Sequence, residues 1–300
     1  MLRIGIDLGG TKTEIAVFDT SGAELLRRRE PTPVGNYAAT LGLIATLIGD
    51  AERQLGTQAS IGIGTPGALS PFTGLMRNSN STCLNKQPLK KDLQHTLGRQ
   101  VRLANDANCF ALSEARDGSA AGAASAFGVI LGTGVGGGIV INGRVIDGPN
   151  ALAGEWGHNP LPWPDDNERP GSACYCGKLG CIETFLSGPG LARDYAHQHG
   201  TSITTVSAEE IVARSAHDAS AEQALVRYEY RLARALASVI NVLDPEVIVL
   251  GGGLSNVERL YKNIPALWGK WVFSDTVRTR LARNAHGDSS GVRGAAWLWA

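Results

Sequence analysis

The hydrophobic positions of this chain fall into short apolar runs, several of which end in glycine-rich turns. Residues 2–7 predict a strand, residues 8–11 a turn, and residues 13–18 a second strand. The same unit returns in residues 127–141, where a strand, a glycine turn and a second strand lead into an Asn142-Gly143 hairpin signal. This repetition predicts that the chain is built from two similar halves.

Longer apolar patterns place helices and buried strands around these units. The spacing predicts helices over 37–55, 107–116, 221–243 and 292–299, and short strands over 61–64, 101–103 and 247–250. Strands that alternate with helices and end in glycines predict an α/β protein with ligands at the strand ends. We expect a small N-terminal lobe, 1–118, and a large lobe, 119–284, with the terminal segment 285–300 packing back onto the first lobe.

Composition narrows the class of protein. The 300 residues are 43% hydrophobic and 19% charged, which is enough apolar content for a substantial core and excludes disorder. Lysine plus arginine equals aspartate plus glutamate, 28 against 28, so no net positive field favours nucleic acid or an anionic membrane surface. No segment approaches about 18 consecutive apolar residues and no export signal is visible, so we expect a cytoplasmic protein.

The two glycine turns are candidates for holding phosphate. Residues 132–137 match G-x-G-x-x-G, but a β-branched strand follows them instead of the helix that a dinucleotide fold requires. A tight glycine hairpin can still hold an anion, because its exposed backbone N–H groups form a concavity. Each turn also carries a threonine hydroxyl, Thr11 or Thr133, which favours a phosphate chain shared between the halves over two ordinary hairpins.

Two aspartates sit where predicted strands end. Asp7 precedes the first glycine turn, where a carboxylate would repel phosphate unless Mg²⁺ lay between them; the alternative is a turn residue that bonds its own backbone. The nearby Lys12 either balances phosphate charge or faces solvent. Asp106, preceded by Asn105, lies between a strand and a helix, where it serves either as a general base or as the helix N-cap.

Cysteine spacing predicts a metal site. Three of the five cysteines, Cys174, Cys176 and Cys181, fall within eight residues, and His158 lies upstream. Three thiolates and one imidazole make a tetrahedral zinc site, and the glycines between the thiols let the chain wrap a small ion. Four protein ligands leave no open position, so this zinc is expected to be structural. The alternative is a set of adventitious reduced cysteines.

Two further patterns carry no catalytic prediction. Residues 287–291 match the nucleophile-elbow pattern G-x-S-x-G, yet no acid or histidine follows Ser289, so we interpret them as the entry to the terminal helix. The run Arg27-Arg28-Arg29 is interpreted as a solvated strand face, not as a binding patch.

Taken together, the motifs resemble those of one family in their order and spacing. They are Asp7-Leu8-Gly9-Gly10-Thr11-Lys12, Asn105-Asp106, Gly132-Thr133-Gly134, Gly154-Glu155 with His158, the cysteine element through Glu183, and Gly251-Gly252-Gly253. Over essentially the whole chain the sequence resembles the ROK family of sugar kinases. The resemblance implies an α/β, two-lobed, actin-like sugar-kinase ATPase fold, with ribonuclease H-like halves around a central ligand cleft.

The resemblance also implies a role for each matching residue. Asp106 is similar to the family's general base, which takes the proton from the sugar's primary hydroxyl as it attacks the γ-phosphate of ATP. The implied sugar ligands are Asn105, Glu155, His158 and Glu183, and the implied zinc ligands are His158, Cys174, Cys176 and Cys181. The implied ATP and phosphate positions are Asp7, Gly9, Gly10, Thr11, Lys12, Gly132, Thr133, Gly134, Gly251, Gly252 and Gly253. One nitrogen of His158 would hold the metal while the other points at the sugar.

Two pairs of segments bear on the choice of sugar. Residues 78–85 and 154–163 are similar to bacterial fructokinases of the manno(fructo)kinase type, whereas residues 105–114 and 131–138 also resemble bacterial N-acetylglucosamine kinases. We expect the first pair to line the sugar side of the cleft, so we predict phosphorylation of D-fructose at the 6-hydroxyl. An N-acetylglucosamine kinase and a broad mannose or glucose kinase are the alternatives. Fifteen residues separate His158 from Cys174, more than in most members, and we expect this loop beside the sugar to affect substrate choice.

Two functions without catalysis compete with the kinase. The family includes sugar-responsive repressors, but these carry a DNA-reading domain before the first phosphate strand, and here that strand begins at Leu2. A zinc-stabilised sugar-binding protein is disfavoured by the presence of Asp106. We therefore predict a hexose kinase that uses ATP with Mg²⁺, carries structural Zn²⁺ and binds no nucleic acid or membrane. The resemblance implies a homodimer.

Overall fold

The computed structural model describes residues 1–200 and 205–299, in which two five-stranded sheets are joined and flanked by helices. The strands are β1 (Arg3–Leu8), β2 (Lys12–Phe18), β3 (Glu24–Pro31), β4 (Ser60–Thr65), β5 (Ala68–Leu69), β6 (Met76–Arg77), β7 (Arg102–Asn105), β8 (Ser125–Leu131), β9 (Val135–Ile141), β10 (Arg144–Val145), β11 (Val247–Gly251) and β12 (Arg280–Arg283). The helices are α1 (Tyr37–Leu55), α2 (Leu89–Leu97), α3 (Asp106–Asp117), α4 (Ile182–Leu186), α5 (Gly188–Gln198), α6 (Ala208–Arg214), α7 (Ala219–Leu243), α8 (Arg259–Leu267) and α9 (Ser290–Trp297).

The first sheet has the strand order β3-β2-β1-β4-β7. β1 pairs antiparallel with β2 and parallel with β4, which in turn pairs parallel with β7. Isoleucines with no exposed surface, among them Ile4, Ile6, Ile61 and Ile63, form the core on this sheet. Because parallel strands end at the same edge, the carboxyl ends of β1, β4 and β7 bring their terminal residues together.

The second sheet repeats this arrangement in the order β10-β9-β8-β11-β12. β8 pairs antiparallel with β9 and parallel with β11, as β1 does with β2 and β4. The hairpin signal is confirmed, since Asn142 and Gly143 have φ angles of 48° and 71° between β9 and β10, as a type I′ turn requires. The predicted pair of similar halves is therefore present in the strand topology.

Small residues allow two helices to cross between the sheets. A methyl group placed on Gly62 would lie 1.8 Å from the carbonyl oxygen of Ala295, so α9 rests directly on the backbone of the first sheet. A methyl group on Gly138 would lie 2.9 Å from the Ala111 side chain, so α3 rests on the second sheet. The chain's last helix thus packs on its first strands, and the lobe division at residue 118 stays a prediction.

Most predicted elements lie within two residues of their expected bounds. The sequence patterns missed α2, α4, α5, α6, α8, β5, β6 and β12. All of these except α5 have nine residues or fewer, so they offer few positions for a periodic apolar pattern. Ser290 begins α9, and its hydroxyl donates to Glu114 Oε1 at 2.9 Å, so the entry-to-helix interpretation of residues 287–291 is confirmed. In the part of the chain that the structure describes, no helix has the length and apolar content that crossing a membrane demands.

The arginine run lies on an exposed strand face, as predicted, and two of its members also pair with a buried carboxylate. It lies on β3, where Arg27 Nη1 donates to Glu14 Oε1 at 2.7 Å and Arg29 Nε donates to Glu14 Oε2 at 2.9 Å. The carboxylate of Glu14 is almost fully buried under these two guanidinium groups. The run therefore satisfies a buried charge on the neighbouring strand.

The proline-rich loop over 159–172 is tied to α7 by buried ion pairs. Glu168 accepts from Arg231 Nε and from Arg234 Nη2, each at 2.7 Å, and Arg234 also donates to the carbonyl oxygen of Trp163. Burial alone would raise the pKa of Glu168, but the hydrogen bonds from the two arginines outweigh it and hold that pKa below its ordinary value. These bonds attach the loop to the side of α7.

Candidate active site

The first glycine turn closes a tight hairpin between β1 and β2. The backbone N–H of Gly9 donates to the carbonyl of Lys12 at 3.0 Å, and a methyl group on Gly9 would lie 2.7 Å from that oxygen. Thr32 supports the turn by donating its hydroxyl to the Gly9 carbonyl at 2.9 Å. Gly10, Thr11 and Lys12 are exposed at the tip, so their backbone N–H groups are available to an anion.

The second glycine turn joins β8 to β9. Gly132 N–H donates to Gly134 at 3.0 Å, and the Gly132 carbonyl accepts from Gly188 N–H at 2.8 Å at the start of α5. Glu183 holds the far side of the turn, where its Oε2 accepts from Val135 N–H at 2.9 Å. One oxygen of this predicted sugar ligand is thus engaged by the turn, and its contact with sugar stays a prediction.

A cavity of about 590 Å³ opens beside the second turn. Gly132 and Thr133 line it together with Gly253, the last residue of the three-glycine motif. Gly251 and Gly252 serve packing instead, because added methyl groups would lie 2.5 Å from the Phe110 ring and 2.5 Å from the Leu131 carbonyl oxygen. The cavity is large enough for a nucleotide.

Asp7 and Asp106 bring negative charge to the carboxyl edge of the first sheet. Burial raises the pKa of Asp7 to about 7, and the negative charges of Asp106 and Glu14 add to this effect. Desolvation also raises the pKa of Asp106 to about 6, with a further contribution from Glu155. Yet Asp106 keeps solvent access, so its carboxylate lies within a cleft and not inside the core. Lys12 lowers the pKa of Asp7, which indicates that its ammonium group lies near that carboxylate.

Asn105 settles which residue caps α3. Its side-chain oxygen accepts from Ala107 N–H at 2.9 Å in the geometry of an N-cap, and its amide donates to the Gly67 carbonyl at 3.1 Å. The alternative in which Asp106 is the N-cap is therefore wrong. Asp106 is the first helical residue, and its carboxylate also accepts from Ala107 N–H at 2.8 Å.

A second cavity, of about 320 Å³, is lined by Asn105, which precedes Asp106, and by Glu155, whose charge raises the pKa of Asp106. Its polar lining comes from both halves of the chain: Asn105 and Asn108 from the first, and Asp147 and Glu155 from the second. Its apolar lining includes Leu69, Met76, Leu103, Ala151 and Ala153. A cavity at the small end of the usual range, with few polar groups, suits a compact polar ligand.

The predicted metal ligands converge on one point. The ligand atoms of His158, Cys174, Cys176 and Cys181 all lie within 4.8 Å of one another, with 3.6 Å between the sulfurs of Cys176 and Cys181 and 3.5 Å between Cys174 Sγ and His158 Nδ1. Tetrahedral zinc with bonds of about 2.3 Å to sulfur and 2.0 Å to nitrogen would separate its ligands by about 3.5–3.8 Å. The donor set and its spacing therefore fit zinc.

The other nitrogen of His158 is engaged within the protein. Its Nε2 lies 2.9 Å from the hydroxyl of Tyr175, whose ring meets the imidazole edge to face. A metal-bound histidine usually has its free nitrogen fixed by such a partner. The sequence did not predict this contact with Tyr175. The contact of the same nitrogen with a sugar stays a prediction.

Several other lining residues were also missed. Gly188, Pro189, Ser207 and Glu209 line the larger cavity at the starts of α5 and α6, and Asn108 lines the smaller one. The sequence held clues to some of them, since the Ser187-Gly188-Pro189-Gly190 run marks a helix start and Asn108 lies two residues after Asp106. Asp147, which also lines the smaller cavity, had no such clue, because it belongs to no recognisable sequence motif.

Backbone turns that can bind phosphate close to acidic side chains are typical of nucleotide-dependent phosphotransferases. A sequence profile of the ROK family matches residues 3–300, and the chain belongs to that family.

Sequence and structure comparisons agree on this assignment. An N-acetyl-D-glucosamine kinase of Photobacterium profundum is 41% identical over 298 residues, covering 98% of each chain. The crystal structure of a ROK hexokinase from Thermus thermophilus superposes with a TM-score of 0.87 at 32% identity, covering 100% of this chain and 99% of that one. A ROK family glucokinase from Streptomyces griseus, solved with glucose and AMPPNP, gives a TM-score of 0.79 at 26% identity, covering 99% of both chains. The predicted family and the two-lobed, actin-like α/β fold are thereby confirmed.

Proposed function

We propose that this protein transfers the γ-phosphoryl group of ATP to the 6-hydroxyl of a hexose. The observation that carries the proposal is the position of Asp106, whose carboxylate opens to the cleft beside Asn105 and Glu155 of the smaller cavity. A hexose in that cavity would present its primary hydroxyl to Asp106, while a nucleotide would occupy the larger cavity at the second hairpin.

Asp106 would serve as the general base. A pKa of about 6 leaves its carboxylate mostly ionised at neutral pH but basic enough to accept a proton. The sugar oxygen bonds to the γ-phosphorus, its proton passes to Asp106, and the bond from phosphorus to the β–γ bridging oxygen breaks as ADP leaves. Most of the rate enhancement would come from holding the two substrates in line.

The hairpins and the metal ligands would provide the supporting chemistry. Backbone N–H groups of residues 9–12 and 132–134 would bind the phosphates, with Lys12 adding positive charge. Mg²⁺ carried with ATP would be held by Asp7 and would neutralise phosphate charge. Zinc at His158 and the three cysteines would hold the segment between His158 and Glu183, as a closed four-ligand site does.

D-Fructose is the acceptor that we propose. Support comes from the similarity of residues 78–85 and 154–163 to fructokinases. Of these residues only Glu155 lines the smaller cavity, whereas Asn105 and Asn108, from the segment that also resembles N-acetylglucosamine kinases, line it too. Much of these segments supports the fold instead, since Trp156 is buried and donates to the Gly136 carbonyl at 3.0 Å. N-Acetylglucosamine is the second candidate, because a relative at 41% identity carries that substrate in its name.

A panel assay tests the proposal. ATP consumption would be measured with fructose, mannose, glucose and N-acetylglucosamine, and we expect the highest kcat/KM with fructose and a 6-phosphate product. The Asp106→Asn variant should keep its zinc content and be at least as stable as wild type at neutral pH, because it removes a desolvated charge, but should lose about 10²- to 10⁴-fold in kcat. Asp166→Asn, at a side chain that is 98% exposed, is the matched control and should behave as wild type.

The panel assay and the Asp106→Asn variant test the kinase activity, the general base and the choice of sugar separately. Absence of turnover with all four sugars would contradict a hexose kinase, and near-normal turnover of Asp106→Asn would contradict the role of that base. A preference for N-acetylglucosamine would overturn fructose while leaving the kinase intact.

We also propose a cytoplasmic homodimer. All five cysteines are free thiols, which suits a reducing compartment and a metal site. The dimer is supported by the family resemblance alone, and sedimentation at micromolar concentration tests it.

A further inference from the structure

The smaller cavity contains a polar pair that the proposed chemistry does not use. Asn108 lies in the first turn of α3, and Asp147 follows β10 in the other half of the chain. The side-chain amide of Asn108 donates to Asp147 Oδ1 at 3.0 Å, so the contact joins the two halves across the cavity wall.

The amide of Asn108 is only half satisfied. The residue is 7% exposed, and its Oδ1 is buried with no hydrogen-bond partner in the described chain. A buried carbonyl oxygen of this kind is costly to leave unpaired, so a ligand group that donates to it would gain affinity. Asp147 is open to solvent on the cavity wall, and its second carboxylate oxygen has no partner among the described residues.

The two free oxygens are both hydrogen-bond acceptors. They are held together by the Asn108–Asp147 bond, so they match a ligand that offers two neighbouring donors. Adjacent hydroxyl groups of a hexose offer that pattern. An acetamido group offers one N–H and a carbonyl oxygen, and that oxygen would face the carboxylate with no donor between them.

We propose that Asp147, held by Asn108, is a specificity-determining residue that binds neighbouring sugar hydroxyls and disfavours N-acetylated hexoses. The inference rests on the proposed function and refines its choice of acceptor. The apolar lining residues Leu69 and Met76 would cover the C–H groups of the same sugar.

Asp147→Ala and Asp147→Asn test this role by a change in substrate ratio. Removal of a hydrogen bond to a charged group should lower kcat/KM for fructose about 10- to 100-fold in Asp147→Ala. Activity with N-acetylglucosamine should be unchanged or should rise. Asp147→Asn keeps one acceptor oxygen and should lose less than the alanine variant. The KM for ATP should stay at its wild-type value in both variants. The unfolding midpoint should stay there in Asp147→Asn, which can still accept from Asn108, and should fall in Asp147→Ala, which leaves the buried Asn108 amide unpaired. The exposed control Asp166→Ala should match wild type in both measurements.

An equal loss with both sugars, or no loss with fructose, would overturn the inference. The same ratio is measurable without turnover, by calorimetric titration of fructose and of N-acetylglucosamine into the protein with ADP present. If wild type bound both sugars but transferred phosphate to neither, the proposed function would fail while this titration still decided the role of Asp147.

Discussion

At the start of α3, Asn105 caps the helix and Asp106 faces the cleft. Asn105 supplies the cap by accepting from Ala107 N–H, so the carboxylate of Asp106 is not needed for that purpose. Its cleft position, near the charge of Glu155, raises its pKa to about 6 by desolvation first and repulsion second. The sequence could not separate cap from base, because both residue types serve as N-caps and only their geometry differs.

The raised pKa of Asp106 predicts opposite pH effects on activity and on stability. A general base must be ionised, so kcat/KM should rise with pH through about 6 and then level off. Between about pH 4 and 6 the folded state binds a proton that the unfolded state has released, so this group's contribution to stability falls as pH rises. Steady-state kinetics and urea unfolding across pH 4–8 measure both. In Asp106→Asn, the rise of kcat/KM through about pH 6 and the fall in the free energy of unfolding between about pH 4 and 6 should both disappear. If either pH dependence persisted, another residue would be its source.

At the scale of elements, α3 and α9 approach each other through glycine. A methyl group on Gly294 would lie 1.7 Å from the carbonyl oxygen of Cys109, so the two helices meet backbone to backbone. Gly5 serves the same end on β1, where a methyl group would lie 1.9 Å from the Val292 carbonyl oxygen. This contact carries the last helix onto the first sheet and fixes where the carboxyl ends of its strands lie.

Substitution of Gly294 should therefore be costly. Gly294→Ala forces α3 and α9 apart and should lower the free energy of unfolding by about 3 kcal/mol. Gly49→Ala is the matched control, because Gly49 lies within α1 with no atom within 4 Å of an added methyl group. That change should raise stability by about 0.5–1 kcal/mol, since alanine favours the helix. Urea unfolding of both variants measures the difference, and equal effects would contradict the close helix contact.

Across the whole molecule, local sequence patterns predicted the repeated units but could not predict contacts between segments that are distant in sequence. The strand–glycine–strand units and the cysteine cluster could be predicted because their residues are neighbours in sequence. The buried ion pairs of Glu168 with α7 and the partnership of Asn108 with Asp147 join residues about 40–65 positions apart, for which no periodicity exists. The hydrogen bond between His158 and Tyr175 likewise depends on side-chain geometry.

The proposed mechanism requires both hairpins to bind one nucleotide while Asp106 faces a sugar hydroxyl. A crystal structure with fructose and a non-hydrolysable ATP analogue would test this arrangement. We expect the triphosphate between residues 9–12 and residues 132–134, with the 6-hydroxyl within hydrogen-bond distance of Asp106. Phosphates bound elsewhere, with the hairpins facing bulk solvent and the sugar remote from Asp106, would contradict it.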